Sequence, residues 1–377
     1  MKKTVLVIID SLGVKQFNEE NTPFLYSLSY YKPMNTCLGF SISILPSLYT
    51  GVYPNKHGYF TKIIKEKKNK KSIRALLLNW LPDTISRPIN YVISYGIKSR
   101  VLPSISLKYE HNFKMLDFNF KVAHKEINNC PTIFNSLTNN FQYVIDTNDF
   151  KISDSKKEID VYYTIEIDRI MHLNLKNKKV MKKYLRKVDN KVKQIYNFYN
   201  EKYKENLEFL VVSDHGQADI QNRINVLKRI KRIKNIKEGK DYLMFSDSTM
   251  ARFWTKSDKV KQIIIDVLSK VKQGNIISKE EQKKLHINFK NNRYGDIIFL
   301  MNEHNEIYPS HFHMYLKSNV HGLHGYHTDC ESMKGIFVYK GSKKIKKKQI
   351  NVVDIAPSLL KLNKKSIPKN TDGQSLW

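Results

Sequence analysis

Residues 5–9 form an unbroken run of Val, Leu and Ile that stops at Asp10. Such a run predicts a strand buried on both faces of a parallel sheet. Asn21-Thr22-Pro23 predicts a capped helix start with Pro just inside, leading into F-L-Y-S-L-S. A short strand is expected over 34–38. In the G-F-S-I-S-I-L-P-S-L-Y-T-G that follows, Gly39 permits a tight turn and Pro46 suits the first turn of a helix. Further strands are predicted at 143–145, along V-Y-Y-T-I-E-I up to Asp168, and along L-E-F-L-V-V-S into Asp214. A long basic helix is expected over 178–203. Alternation in M-A-R-F-W-T and D-I-I-F-L-M predicts strands on either side of a helix at 260–271. G-I-F-V-Y-K-G reads as a core strand and V-V-D-I-A-P-S-L-L as a helix.

Strands separated by helical stretches point to an α/β fold with a mostly parallel sheet. At 377 residues, 41% apolar and 11% aromatic, the chain can bury a real core, which excludes a disordered chain. Two stretches break the pattern. Residues 61–129 are irregular, basic and aromatic, as for a cap or lid insertion, and 220–310 read as a smaller α+β insertion into one catalytic domain spanning 1–377. The stretch 75–107 is apolar but carries Pro82, Pro88 and Pro103 and the charges Asp83, Arg87 and Arg100. It reads as a helical cap that could touch a membrane surface or a greasy substrate, and no run reaches transmembrane length.

The formal charge of +30 favours an anionic partner. Abundant Lys, Asn, Ile, Tyr and Phe also fit codon bias, and the basic runs near Lys65, Lys231 and Lys346 lack a nucleic-acid module, so nucleic acid is not the expected partner. Cys37, Cys130 and Cys330 have neither metal nor disulfide spacing, which suits free thiols and the cytoplasm. The N-terminal apolar run is too short for a signal peptide and ends in Asp10, so it is expected to be the first core strand.

The chemistry-bearing residues stand at the ends of these apolar runs. Asp10, Asp168 and the Asp214-His215 pair each follow a strand pattern. His172 lies four residues after Asp168, on one side of any helix there, and His324 sits with His321 in the Gly-rich H-G-L-H-G-Y. Together these groups suffice for two divalent cations, and mixed Asp/His ligation suits zinc or manganese, with magnesium a further choice.

The ordered motifs V-I-I-D-S-L-G, N-T-P-F-L-Y-S-L, T-G-V-Y-P-N-K-H-G, E-I-D-R-I-M-H, V-V-S-D-H-G, H-G-L-H-G-Y, V-D-I-A-P-S-L-L and D-G-Q-S-L span nearly the whole chain. In this order they resemble the alkaline phosphatase superfamily, most closely its type I phosphodiesterase/nucleotide pyrophosphatase branch. The resemblance implies an α/β/α sandwich with cap insertions and a two-metal phosphoric ester hydrolase. One metal would be held by Asp168, His172 and His324, the other by Asp10, Asp214 and His215. Counting back from Thr50-Gly51 places the nucleophile, which also bridges to the metal, at Ser41, with Ser43 and Ser47 as alternatives.

Departures from the family pattern narrow this expectation. The Pro and Arg that sulfatases carry in this block are Ser43 and Leu45 here, which argues against a sulfatase. The F-P-N that follows the nucleophile in nucleotide pyrophosphatases is absent, which leaves nucleotide specificity open. The expected reaction is hydrolysis of a phosphodiester through a phosphoserine intermediate. Rival readings are a phosphomonoesterase or phospho-group transferase on a glycan- or lipid-linked substrate, or a non-enzymatic binder of nucleic acid or anionic membrane. Trp80 and Tyr91 in the basic lid would suit a bulky anionic substrate.

Overall fold

Seven strands, β1 (Lys3–Ile9), β2 (Tyr30–Asn35), β3 (Phe141–Asp146), β4 (Ile159–Thr164), β5 (Leu207–Val212), β6 (Gly335–Lys340) and β7 (Ile350–Asn351), form one sheet in the order β7-β2-β6-β5-β1-β4-β3. Only β6 runs against its neighbours; every other pair is parallel. The C-terminal ends of β1, β2, β4 and β5 therefore share one edge, where an open α/β sheet places its functional loops. This computed structural model describes residues 2–66, 73–78, 80–81, 85, 89, 92, 108–116, 118–119, 123–137, 140–146, 152–310 and 319–377. Tyr91 and most of 75–107 lie outside them.

The apolar run of β1 is buried at every position, as its pattern predicts. Leu6 and Ile8 face one core, shared with residues of helices α2 (Ser41–Thr50) and α5 (Ile355–Leu362). Val5, Val7 and Ile9 face a second core, shared with residues of α1 (Pro23–Ser27), α3 (Glu166–Asn174) and α4 (Lys178–Tyr203). Helices thus cover both faces of the sheet, and α4 has the bounds its periodicity predicts. Lys3 begins β1 fully buried, within 2.7 Å of the equally buried Asp160.

Local expectations fail at four places. The strand expected at 34–38 is β2, Tyr30–Asn35, because half of its residues alternate outward and hide it from a search for apolar runs. Pro46 lies inside α2 rather than in its first turn, because the helix begins at Ser41, directly after Gly39 at φ +126° and an extended Phe40. Thr22 precedes α1 but does not cap it, since its hydroxyl donates to the Asn18 carbonyl. The carboxylate of Asp189 on α4 takes that role, accepting from the amides of Phe24 and Leu25 at 2.9 Å each. Finally, β4 stops at Thr164, and Asp168 sits in the first turn of α3, where a carboxylate suits the helix dipole.

The described chain divides into two compact units, one of residues 1–59, 119–219 and 320–377, the other of 60–118 and 220–319. The seven-stranded sheet belongs to the first. The second holds an antiparallel sheet in the order Tyr242–Ser246, Met250–Thr255, Ile297–Met301, Gly274–Ile276, with helix Asp258–Leu268. Its buried Arg252 donates to the Ile63 carbonyl at 2.7 Å and lies against the rings of Phe245 and Trp254. Among the described residues, no helix is long and apolar enough to cross a membrane.

Candidate active site

Asp10 leaves the end of β1 and Asp214-His215 the end of β5, the neighbouring strand, so three functional groups reach one point of the sheet edge. Ser11 turns the chain sharply there at φ +72°. Its amide and that of His215 both donate to Asp214 Oδ1, at 3.1 and 3.0 Å, which fixes that carboxylate. Tyr163 on β4 donates its hydroxyl to Asp10 Oδ2 at 2.5 Å. Close packing explains Gly216: a Cβ there would lie 2.4 Å from the Ser332 carbonyl oxygen and 2.7 Å from Gly13.

The remaining oxygens, Asp10 Oδ1 and Asp214 Oδ2, accept no hydrogen bond among the described residues. They face His215 Nε2 at 3.5 and 3.4 Å. His215 Nδ1 lies 3.1 Å from the Gly216 carbonyl oxygen, so Nδ1 carries the proton and Nε2 presents its lone pair to the carboxylates. Three buried groups able to ligate a cation therefore converge on one point. The same point receives Ser41, the first residue of α2, whose Oγ is 3.2 Å from His215 Nε2.

Asp168 and His172 lie one turn apart on α3, with Asp168 Oδ1 3.5 Å from His172 Nε2 and 3.8 Å from His324 Nε2. His172 Nδ1 is 2.8 Å from the Gly322 carbonyl oxygen, and the His324 ring stacks on that of His215 with centroids 3.9 Å apart. Gly322–Leu323 pairs with Ala218–Asp219 in a two-residue antiparallel ladder, where a plain Gly-rich turn was expected. His321 is exposed, and its backbone amide donates to the His172 carbonyl.

On protein charges alone this cluster is strained. Burial, then the charges of Asp214 and Asp168, push the Asp10 carboxyl well above the usual carboxylate range. Burial raises Asp214 as well. Burial, followed by the neighbouring His215, drives the His324 imidazole well below its ordinary value. Burial also opposes charge on Asp168 and His172, yet their contact outweighs it, lowering the first and raising the second. Buried carboxylates crowded together with lone-pair imidazoles form a donor set that suits dications. The donor atoms form two trios, Asp10–Asp214–His215 and Asp168–His215–His324, each with its atoms within 4.8 Å of one another. His172 adjoins the second trio through Asp168.

The seven ligand and nucleophile positions read from the sequence are thus neighbours here, while the alternative serines are not. Ser43 is buried and donates to the Leu38 carbonyl, and Ser47 is buried against His57. Tyr163 and Gln217 escaped the sequence reading, because a Tyr in a strand and a Gln after a Gly carry no ligand pattern.

Other residues of the recognised motifs support α2. His57 Nδ1 accepts from the Tyr59 amide at 3.2 Å, leaving Nε2 to donate to Ser47 at 2.9 Å. The amides of Asp372 and Gly373 donate to the Gly51 carbonyl, tying the C-terminal D-G to the end of α2. Burial pushes the His57 imidazole down to about 3. The unfolded chain binds that proton below about pH 6.5 and the folded chain only near pH 3, so His57 lowers stability as pH falls between them. Its expected contribution is a loss of about 1.4 kcal/mol per pH unit. Urea titrations at pH 7 and pH 5 should show that His57→Gln flattens this slope; an unchanged slope would refute a buried neutral His57.

A family model described as type I phosphodiesterase/nucleotide pyrophosphatase matches residues 4–327. Comparison with curated proteins finds no match. Among solved structures, murine ectonucleotide pyrophosphatase/phosphodiesterase 5 matches with a TM-score of 0.64 at 16% identity, covering 98% of this chain and 98% of that one. Its human counterpart matches with a TM-score of 0.63 at 16% identity, covering 99% and 97%. At such identity these structures bear on the fold, which is the one the ordered motifs imply.

Proposed function

The chain belongs to the type I phosphodiesterase/nucleotide pyrophosphatase family, and from that membership we propose a two-metal phosphodiester hydrolase with Ser41 as nucleophile. The observation that carries this reading is the position of Ser41 Oγ, 3.2 Å from the imidazole on which two unsatisfied carboxylate oxygens converge. Asp10, Asp214 and His215 would hold one cation beside Ser41. Asp168, His172 and His324 would hold the other, with His215 standing between the two halves. The donor set favours zinc, ahead of manganese and magnesium. Bound there, the cations would lower the pKa of the Ser41 hydroxyl and neutralise charge on the phosphate oxygens.

The chain's own residues supply position. Tyr163 and the two amides on Asp214 hold the carboxylates, and the Gly216 carbonyl holds the His215 tautomer. Because α2 starts at Ser41, the N–H groups of its first turn accompany the nucleophile, a setting that favours phosphate oxygens. The Ser41 oxygen bonds to phosphorus as the bond to the leaving alkoxide breaks, and water then cleaves the phosphoseryl ester. A cytoplasmic setting belongs to the same reading, from three cysteines whose spacing shows no disulfide framework.

Turnover of an aryl phosphodiester and an aryl phosphomonoester by metal-stripped and zinc-reloaded protein tests the reading. Diester hydrolysis should vanish on stripping and return with zinc. Diester turnover indifferent to stripping would contradict it, and faster monoester turnover would favour the phosphomonoesterase alternative.

A further inference from the structure

We propose that Gln217 is a positioning residue that sets the Asp168–His172–His324 half of the site, an inference that rests on the metal-site reading above. Gln217 is 1% exposed and follows Gly216 into the short ladder with Gly322–Leu323. Its Nε2 donates to Asp168 Oδ1 at 2.8 Å and to the Asp168 carbonyl oxygen at 3.2 Å. Both bonds reach one residue in the first turn of α3, so a single amide fixes the rotation of the carboxylate and the turn that carries it.

The acceptor atom matters. Asp168 Oδ1 is the oxygen facing His172 Nε2 and His324 Nε2. A carboxylate oxygen offers two lone-pair directions. The Gln217 N–H occupies one of them, so the direction left for a cation is set from outside the ligand set. Partners of this kind orient ligands and tune their affinity for metal.

The other end of the amide shows that it does more than fill space. Gln217 Oε1 is buried and accepts no hydrogen bond among the described residues. Such an atom carries a desolvation penalty that an apolar side chain would avoid. The donor side of the amide is therefore its contribution here.

Gly322 completes the arrangement from the opposite strand of the ladder. Its carbonyl oxygen is the partner of His172 Nδ1. A Cβ on Gly322 would lie 2.6 Å from Gln217 Oε1 and 2.8 Å from the Met171 carbonyl oxygen. Residues flanking one two-residue ladder thus hold Asp168 and His172 together, by a side-chain donor on one strand and a backbone acceptor on the other.

The test is the zinc affinity of the metal-stripped full chain, read by competition with a chelating dye, for wild type, Gln217→Met and Gln217→Asn. Met keeps the length and loses the donor; Asn keeps an amide but falls one methylene short. Zinc binding should weaken roughly 10–100-fold in both variants. The thermal midpoint of the stripped protein should stay within about 4 °C of wild type. Wild-type affinity in both variants would overturn the proposal. Collapse of the stripped protein in both would also overturn it, making Gln217 a residue of the fold. A wild-type chain that binds no zinc would refute the metal-site reading itself.

Discussion

Turnover of an aryl phosphodiester should fall by on the order of 10⁴-fold or more when Ser41 is replaced by alanine, because the attacking oxygen is removed. The substitution is mild for the fold. Ser41 is only partly buried at the start of α2, and Phe40 and Gly39 set the turn before it. Bound metal should therefore remain, since the carboxylate and imidazole donors are untouched. Ser43→Ala and Ser47→Ala supply the contrast. Their hydroxyls are spent on the Leu38 carbonyl and on His57, inside the helix packing. Each should cost stability of about 1 kcal/mol and leave the chemistry within a few-fold of wild type. Comparable loss in Ser43→Ala would move the nucleophile away from Ser41.

Asp214→Asn should reduce metal binding more than any change outside the ligand set, by at least on the order of 100-fold. Activity should fall with it. Asp214 divides its work between two oxygens. Oδ1 accepts the amides of Ser11 and His215, while Oδ2 points at His215 Nε2 with no hydrogen bond of its own. Asparagine can keep the amide contacts through its carbonyl oxygen and still lose the charge that a dication requires. Circular dichroism and metal analysis on the same preparation separate the two functions. A folded Asp214→Asn protein with full metal content would remove Asp214 from the site.

How much of this was legible in the sequence varies by element, for physical reasons. β1 and β5 were readable because strands buried on both faces are apolar over most of their length, as at 5–9 and 209–212, which makes the Asp that follows conspicuous. The bounds of α4 were readable because a long amphipathic helix repeats its pattern many times. α3 was not, since Ile165-Glu166-Ile167 continues the alternation of β4 while the chain has already turned. Asp10 and the Asp214-His215 pair stood out as polar groups where an apolar run stops. The supporting residues did not: Tyr163 looks like any aromatic strand residue, and Gln217 like any loop residue. Which imidazole lies nearest which carboxylate is also a tertiary fact. His215 joins both compact trios, whereas the family resemblance assigns it to one.

Two of the ordered motifs, V-D-I-A-P-S-L-L and D-G-Q-S-L, serve packing within the fold. Asp354 Oδ1 accepts from the amide of Gln374, and its Oδ2 from the amide of Asn351. Asp372 and Gly373 bind the carbonyl at the end of α2. Asp372 and Gly373 thereby tie the C-terminal segment to the helix that begins at Ser41.

The stereochemical course at phosphorus tests the central claim most directly. With a phosphorothioate diester chiral at phosphorus hydrolysed in heavy-oxygen water, whose label makes the product phosphorus chiral, attack by Ser41 followed by attack of water gives two in-line displacements, so net retention is expected. Net inversion would mean a single displacement by water and would contradict a covalent role for Ser41.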